Sequence, residues 1–371
     1  MEPSTTAFGV WNGGRYVAFG RALNEARWLD LVRTAYDSGV RTFVTADVYG
    51  QGAAEQLLAR ALQDVPRDSY CLVGLIGHDF YAGTTPRRTG HARFTDPTLR
   101  TPGAFAAYLE MAVRHSLQRC RTDHFDVVML HNPDAVGYTS QEVWTGLARL
   151  KWRGLTRRLG VAPGPANGFA LDLIHCFENF GEHIDWALLI LNPLEPWPTC
   201  EVLPAACKHG VSVMARVVEC GGLFHDNLGE GHQFRPDDHR LHRPAGWIQE
   251  GVLKIARMRP IAEKHRMPLL HLASQWALAQ PAVRSVVPTL MEELNPHCKP
   301  ILQQLHELAT LPSDIRLTAA EIAFIRRTGD NTGRLEPKGA SPRHSGPCLA
   351  DRWPLTPTLA AVARRWNVQP R

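Results

Sequence analysis

Short apolar runs separated by amphipathic stretches recur along the whole chain, and their order predicts the architecture. Residues 40–44, VRTFV, form a β-branched and aromatic run between a glycine and a polar turn, the pattern of a buried strand. Similar runs at 7–11, 71–76, 125–130, 156–161, 186–191, 211–218 and 283–288 predict seven further strands. The run at 71–76, CLVGLI, holds no charge, as a strand covered on both faces would. Helix patterns lie between them. Asn24 caps a helix over 24–38 that puts Trp28, Leu31, Val32 and Ala35 on one face and stops at Gly39. Further helices are predicted over 53–62, 105–119, 141–152, 169–180, 203–208, 260–266, 269–278, 298–309 and 318–327, with a last one over 358–365. Pro260 suits the first turn of its helix. Two stretches, 77–101 and 219–246, read as long loops of the kind that usually carries function.

Eight strands alternating with helices predict an α/β fold, a (β/α)8 TIM barrel over residues 1–328, with 329–371 as a C-terminal extension packed on it. The runner-up is a doubly wound open sheet. That fold normally carries Gly-x-Gly-x-x-Gly after its first strand, and Gly9, Gly13 and Gly14 do not make the turn.

Composition narrows the setting more than the chemistry. With 44% hydrophobic and 21% charged residues, the chain has an ordinary globular make-up. A formal charge of +5, with no basic arm or arginine stripe, argues against nucleic acid as a partner. No apolar run approaches the roughly 20 residues that span a bilayer, and the start, MEPSTTAFGVW, lacks a signal-peptide pattern. Eight scattered cysteines without a Cys-x-x-Cys pair point to reduced thiols in a cytoplasmic setting.

In a barrel, residues just past each strand converge on one face. Here that face would collect Trp11, Asp47, Tyr49, His78, Asp79, His131, Asn132, Arg216, Glu219 and His225. Such a concave, titratable mouth suits a small-molecule substrate. Asp47 reads better as a turn former. Arg216 is a charge inside an apolar strand, which calls for a partner: Glu219 or an anionic substrate. Tyr49 as a half-buried aromatic and His131 as a core histidine are the plainer alternatives. The histidines at 225, 232, 239 and 242 lack a two-histidine helical spacing, so no metal site is expected.

The segment FVTADVYG resembles the Phe-Asp-Thr-Ala-x-x-Tyr-Gly segment of the aldo-keto reductases, through Phe43, Thr45, Ala46, Tyr49 and Gly50. The strand FDVVMLHNP and the order of strands extend the likeness over about residues 7–327. The resemblance implies a barrel that passes hydride from a nicotinamide cofactor to a carbonyl. It makes Tyr49 the proton donor and His131 the group that orients the carbonyl. Two members of that set do not match. Val44 stands where the family has an aspartate, and Gly74-Leu75 where it has a lysine. A phenol titrates at about 10 when unassisted, and an adjacent cation is what tunes it. The family's cofactor contacts also differ: Ala162-Pro163 replaces a Ser-Asn pair, Leu188 a glutamine, and Arg216 the aromatic that stacks on nicotinamide. After strand eight, Glu292 and Glu293 would repel an adenosine phosphate.

Three functions follow. The first is cofactor-independent acid–base chemistry (elimination, isomerisation or cyclisation) by Tyr49 and His131, with Trp11, His78, Asp79, Asn132, Arg216, Glu219 and His225 around the substrate. The second is a divergent NADP(H)-dependent carbonyl reductase in which His78 or Arg216 supplies the missing positive charge. The third is a non-catalytic ligand-binding protein on the same fold. The long loops and the tail, with Trp353 and Trp366, are expected to wall the pocket.

Overall fold

Alternation along eight short strands decides what faces the centre of this molecule. A computed structural model of the chain describes residues 1–82, 91–164, 170–229, 231–332 and 355–369. The strands are β1 (Ala7–Gly9), β2 (Thr42–Ala46), β3 (Cys71–Ile76), β4 (Phe125–His131), β5 (Thr156–Ala162), β6 (Trp186–Ile190), β7 (Ser212–Arg216) and β8 (Val283–Val287). They pair in sequence order, all parallel. A bridge from Thr6 to Val286 and a hydrogen bond from Val286 N–H to the Thr5 carbonyl bring β8 back to the first strand. The result is a nearly closed (β/α)8 barrel.

Successive strand side chains point to opposite faces. Residues of one parity, including Val44, Ala46, Val73, Leu75, Val127, Met129, Leu188 and Met214, fill the barrel with apolar side chains. Those of the other parity, such as Phe43, Leu72, Val128 and Leu189, pack against the helices. The helices are α1 (Glu25–Asp37), α2 (Ala53–Ala61), α3 (Phe105–Cys120), α4 (Ala135–Thr139), α5 (Gln141–Trp152), α6 (Ala170–Phe180), α7 (Thr199–Lys208), α8 (Trp247–Lys264), α9 (Leu269–Leu278), α10 (Ile301–Ala309), α11 (Ala319–Gly329) and α12 (Pro357–Trp366). The Asn24 side chain accepts from the Arg27 N–H as the predicted cap of α1. Thr318 and Glu321 form a reciprocal capping box on α11.

Several boundaries move. The second strand begins and ends two residues later than its β-branched run suggested, because Val40 and Arg41 complete the turn after α1. The helix predicted from Pro260 runs from Trp247, with Pro260 in its interior. The tail is covered only in part: Trp353 lies outside the described residues, and α12 packs on α6. There the Trp366 indole donates to Glu178 (3.0 Å), on the flank of the barrel and away from its mouth.

Candidate active site

Three residues on the inward parity sit at the carboxyl ends of their strands: Leu75, His131 and Arg216. With the turns that follow, they line a cavity of about 490 Å³ shared by Trp11, Tyr49, His78, Asn132, Ala162, Leu188, Val217 and Thr289. Its floor is apolar at Leu75, which is almost fully buried, and Val44 lies buried in the apolar interior of the barrel.

Tyr49 stands at the start of a short turn, its ring edge-on to Trp11 (6.4 Å) and to His131 (6.0 Å). Its hydroxyl makes no hydrogen bond among the described residues. Burial raises the phenol's pKa, and the charge of Arg216 works against that rise. Tyr49 is therefore a neutral phenol at ordinary pH, an acid with a proton to give. His131 is buried with Nδ1 unpartnered, and its pKa is driven down by burial and then by His78, Arg93 and Arg216. His78 is held at about 3 by burial and by Arg93. Both imidazoles are neutral. Arg93 Nη1 donates to His78 Nδ1 (2.9 Å), so the His78 proton belongs on Nε2, 3.0 Å from the Asn132 amide group. That assignment requires the amide oxygen of Asn132 to face the ring. Arg93 also donates through Nε to the Asn132 carbonyl.

Arg216 ends β7. Its Nη2 donates to the carbonyls of Pro163 and Gly164, both at 3.0 Å. Its Nε is buried without a partner. The following residue, Val217, has φ +58, a left-handed backbone that is costly for a β-branched side chain. Asn132 is also left-handed, at φ +47, which asparagine tolerates better. Two strained residues thus flank the groups that line the cavity.

Four residues expected at the mouth lie outside this cavity. Asp79 is fully buried, ion-paired with Arg100, and accepts the N–H groups of Tyr81 (3.0 Å) and Ala82 (3.2 Å). Glu219 is not the partner of Arg216. Its carboxylate accepts the N–H of Thr289 (2.9 Å) and of Gly221 (3.3 Å), tying the end of β7 to the end of β8. His225 is buried, held near 4 mainly by burial, with Nε2 donating to the Thr289 carbonyl (2.8 Å). Asp47 lies in the turn that follows β2, as expected. Neither carboxylate oxygen has a side-chain partner, and burial drives its pKa well up.

The sequence also left part of the wall unassigned. Tyr16, Val17 and Phe19, from the loop after β1, close one side, with His239 packed against Phe19. These loops are latched to each other. Gly20 N–H donates to Asp238 (2.8 Å), His239 N–H to Ala18 (2.9 Å) and Arg21 N–H to Glu292 (2.6 Å). Asp238 and Glu293 both grip Arg240, which is buried. Hence Glu293 is neutralised inside the protein, and Glu292 accepts from Arg27 (3.2 Å). Arg93 was missed because nothing in the 77–101 pattern distinguishes it from the neighbouring arginines. Among the described residues no three His, Cys, Asp or Glu side chains are grouped to hold a metal.

The family profile described as "Aldo/keto reductase family" matches residues 7–296. The chain belongs to the aldo/keto reductase family. It is 24% identical over 293 residues to the aldo-keto reductase YhdN of Bacillus subtilis, covering 76% of this chain and 79% of that one. The glycerol dehydrogenase of Gluconobacter oxydans superposes with a TM-score of 0.69 at 22% identity, over 88% of this chain and 92% of its own. An aldo-keto reductase of Klebsiella pneumoniae, solved with NADPH, superposes at 0.58 with 20% identity, over 89% and 93%. These relatives favour the oxidoreductase expectation over cofactor-independent elimination, isomerisation or cyclisation.

Proposed function

We propose that this aldo/keto reductase is a carbonyl oxidoreductase in which Tyr49 passes its proton to the oxygen of a small aldehyde or ketone. The observation that carries the reading is the Tyr49 phenol. It is half-buried, neutral and without a hydrogen bond of its own, beside neutral His131 and within the field of Arg216. A nicotinamide cofactor, when bound, supplies the hydride for the carbonyl carbon. The cavity suits the ring end of that cofactor. It has the volume, apolar walls at Trp11, Val48, Leu188 and Ile190, and polar groups at Asn132 and Thr289 to hold an amide.

Val44 and Leu75 stand where the resemblance places a carboxylate and an ammonium, so Arg216 is the cation that acts on Tyr49 here. Burial outweighs it, and the net pKa stays high. That balance suits donation to a developing alkoxide and works against the reverse oxidation, which needs the phenolate. His131 orients the carbonyl by a single hydrogen bond from a neutral ring. His78 sets the position of Asn132 and does not itself exchange protons between pH 5 and 8. A reducing, cytoplasmic setting belongs to the same proposal, since the seven described cysteines are free thiols.

The test is NADPH and NADH consumption with a panel of aldehydes and ketones, beside a Tyr49→Phe variant. Turnover that falls by about 100-fold or more in the variant supports the reading. Turnover unchanged in Tyr49→Phe assigns the proton to another group. No consumption with any carbonyl, together with no quenching of protein fluorescence by either cofactor, returns the chain to ligand binding.

A further inference from the structure

We propose that Arg216 binds the carboxylate of the substrate, so that the preferred substrates are small carbonyl acids, 2-oxo or 3-oxo, over neutral aldehydes and ketones. The proposal deepens the carbonyl-reductase reading for turnover, but its binding half stands without it. The strand parity that fills the barrel with Met214 directs the next inward residue, Arg216, into the cavity. One nitrogen of the guanidinium is spent on the Pro163 and Gly164 carbonyls. These bonds hold the group in place but neutralise nothing. Nε is buried and unpartnered, and Nη1 makes no hydrogen bond among the described residues.

Among the described residues no carboxylate pairs with this charge. The titratable groups that favour the Arg216 cation are the phenols of Tyr49 and Tyr138. The one acid close in sequence, Glu219, is committed to two backbone N–H groups across the β7–β8 ends. The two imidazoles grouped with Tyr49, His78 and His131, are neutral. Arg93, which also acts on His131, is turned to His78 and to the Asn132 carbonyl and has Asp134 to offset it. The cavity therefore carries a positive charge with no counterion among the described residues. A partly buried cation in that state is costly, and an anion recovers the loss. A carboxylate suits a single guanidinium, which forms its strongest hydrogen bonds with ionised acceptors. A phosphate dianion would want a second cation, and Arg93 is engaged elsewhere. With the carboxylate on Arg216 and the carbonyl between Tyr49 and His131, one small molecule spans both groups.

The experiment compares a charged ligand with a close neutral counterpart, phenylglyoxylate and its methyl ester. Binding is read by calorimetry and by quenching of protein fluorescence, and turnover with NADPH or NADH in parallel. The wild-type protein binds the acid about tenfold or more tightly than the ester. Arg216→Gln keeps a donor for the loop carbonyls but no charge, and brings the two ligands within about twofold. Arg216→Lys keeps part of the preference, and decides the matter should the Gln variant fail to fold. Equal binding of acid and ester by the wild type overturns the proposal, as does a preference that survives in Arg216→Gln. Inorganic phosphate that displaces the acid at lower concentration than acetate overturns the choice of carboxylate. Ester reduction without any advantage for the acid removes this inference and leaves the reductase reading. Acid-selective binding with no cofactor oxidation does the reverse.

Discussion

Proton exchange at the cavity should be silent across the range where histidines usually titrate, and Arg93 should be the reason that can be removed. His78 sits at about 3 in place of the ordinary 6.5, held there first by burial and then by the Arg93 guanidinium. A gap of that size corresponds to about 5 kcal/mol of resistance to protonation. At pH 5 a free imidazole is ~97% protonated, whereas His78 should be only about 1% protonated. Because the folded value lies below the unfolded one, the associated stability is complete above pH 6.5 and is lost as pH falls through about 3. Asp172, raised to about 6 by burial, slopes the other way. Comparison with a variant is therefore cleaner than the pH profile of the parent alone. Arg93→Gln removes the second cause and leaves the first, and should lift the His78 midpoint by about one to two pH units. Imidazole Cε1–H resonances, assigned with a His78→Asn variant, report the midpoint directly, and kcat/KM between pH 4.5 and 9 reports its effect. A parent midpoint near 6.5, or an Arg93→Gln profile that overlays the parent, refutes the reasoning.

Other outcomes follow from the same structure. Arg240→Met strands the buried carboxylates of Asp238 and Glu293 and unlatches the loops after β1, β7 and β8, and should cost about 3–5 kcal/mol in urea unfolding; a loss under about 1 kcal/mol contradicts the buried network. NADPH and NADH should bind within about threefold of each other, because residues 288–293 carry no cation and Arg240 is committed to its two acids; a tenfold preference for NADPH in calorimetry places the phosphate on some other basic group. Asp172→Asn should stabilise the protein by about 2 kcal/mol at pH 8 and by little at pH 3.5, since the buried carboxylate is strained only when ionised; equal effects at both pH values count against an ionisation origin.

How far the sequence reaches into this site depends on the distance from the end of a strand. The eight strands were legible because β-branched runs and their stops are local properties, and β3 emerges with the boundaries its apolar run predicts. His131 and Arg216 are the last residues of β4 and β7, so strand parity alone sends them inward. Three residues past its strand, Arg216's expected partner Glu219 turns instead to the Thr289 N–H, 70 positions away in sequence. Asp79 is taken by Arg100 and by two N–H groups of its own loop, and His225 by a carbonyl after β8. Each of these polar groups is buried, and burial obliges it to find a partner. The partner belongs to a loop whose path the hydrophobic pattern does not encode. Tyr49 escapes this rule in an informative way. It lies equally far past its strand, but its segment shares Phe43, Thr45, Ala46 and Gly50 with a family pattern that carries a tyrosine at this position. Local likeness thus substituted for tertiary knowledge there, and nothing comparable existed for the loops after β3 and β7. The same reasoning singles out Arg216. Among the charged residues expected at the mouth it lies on the inward parity of a strand, and it reaches the cavity without acquiring a carboxylate from the described residues. A charge that folding leaves uncompensated at a concave site is one that a ligand is there to meet.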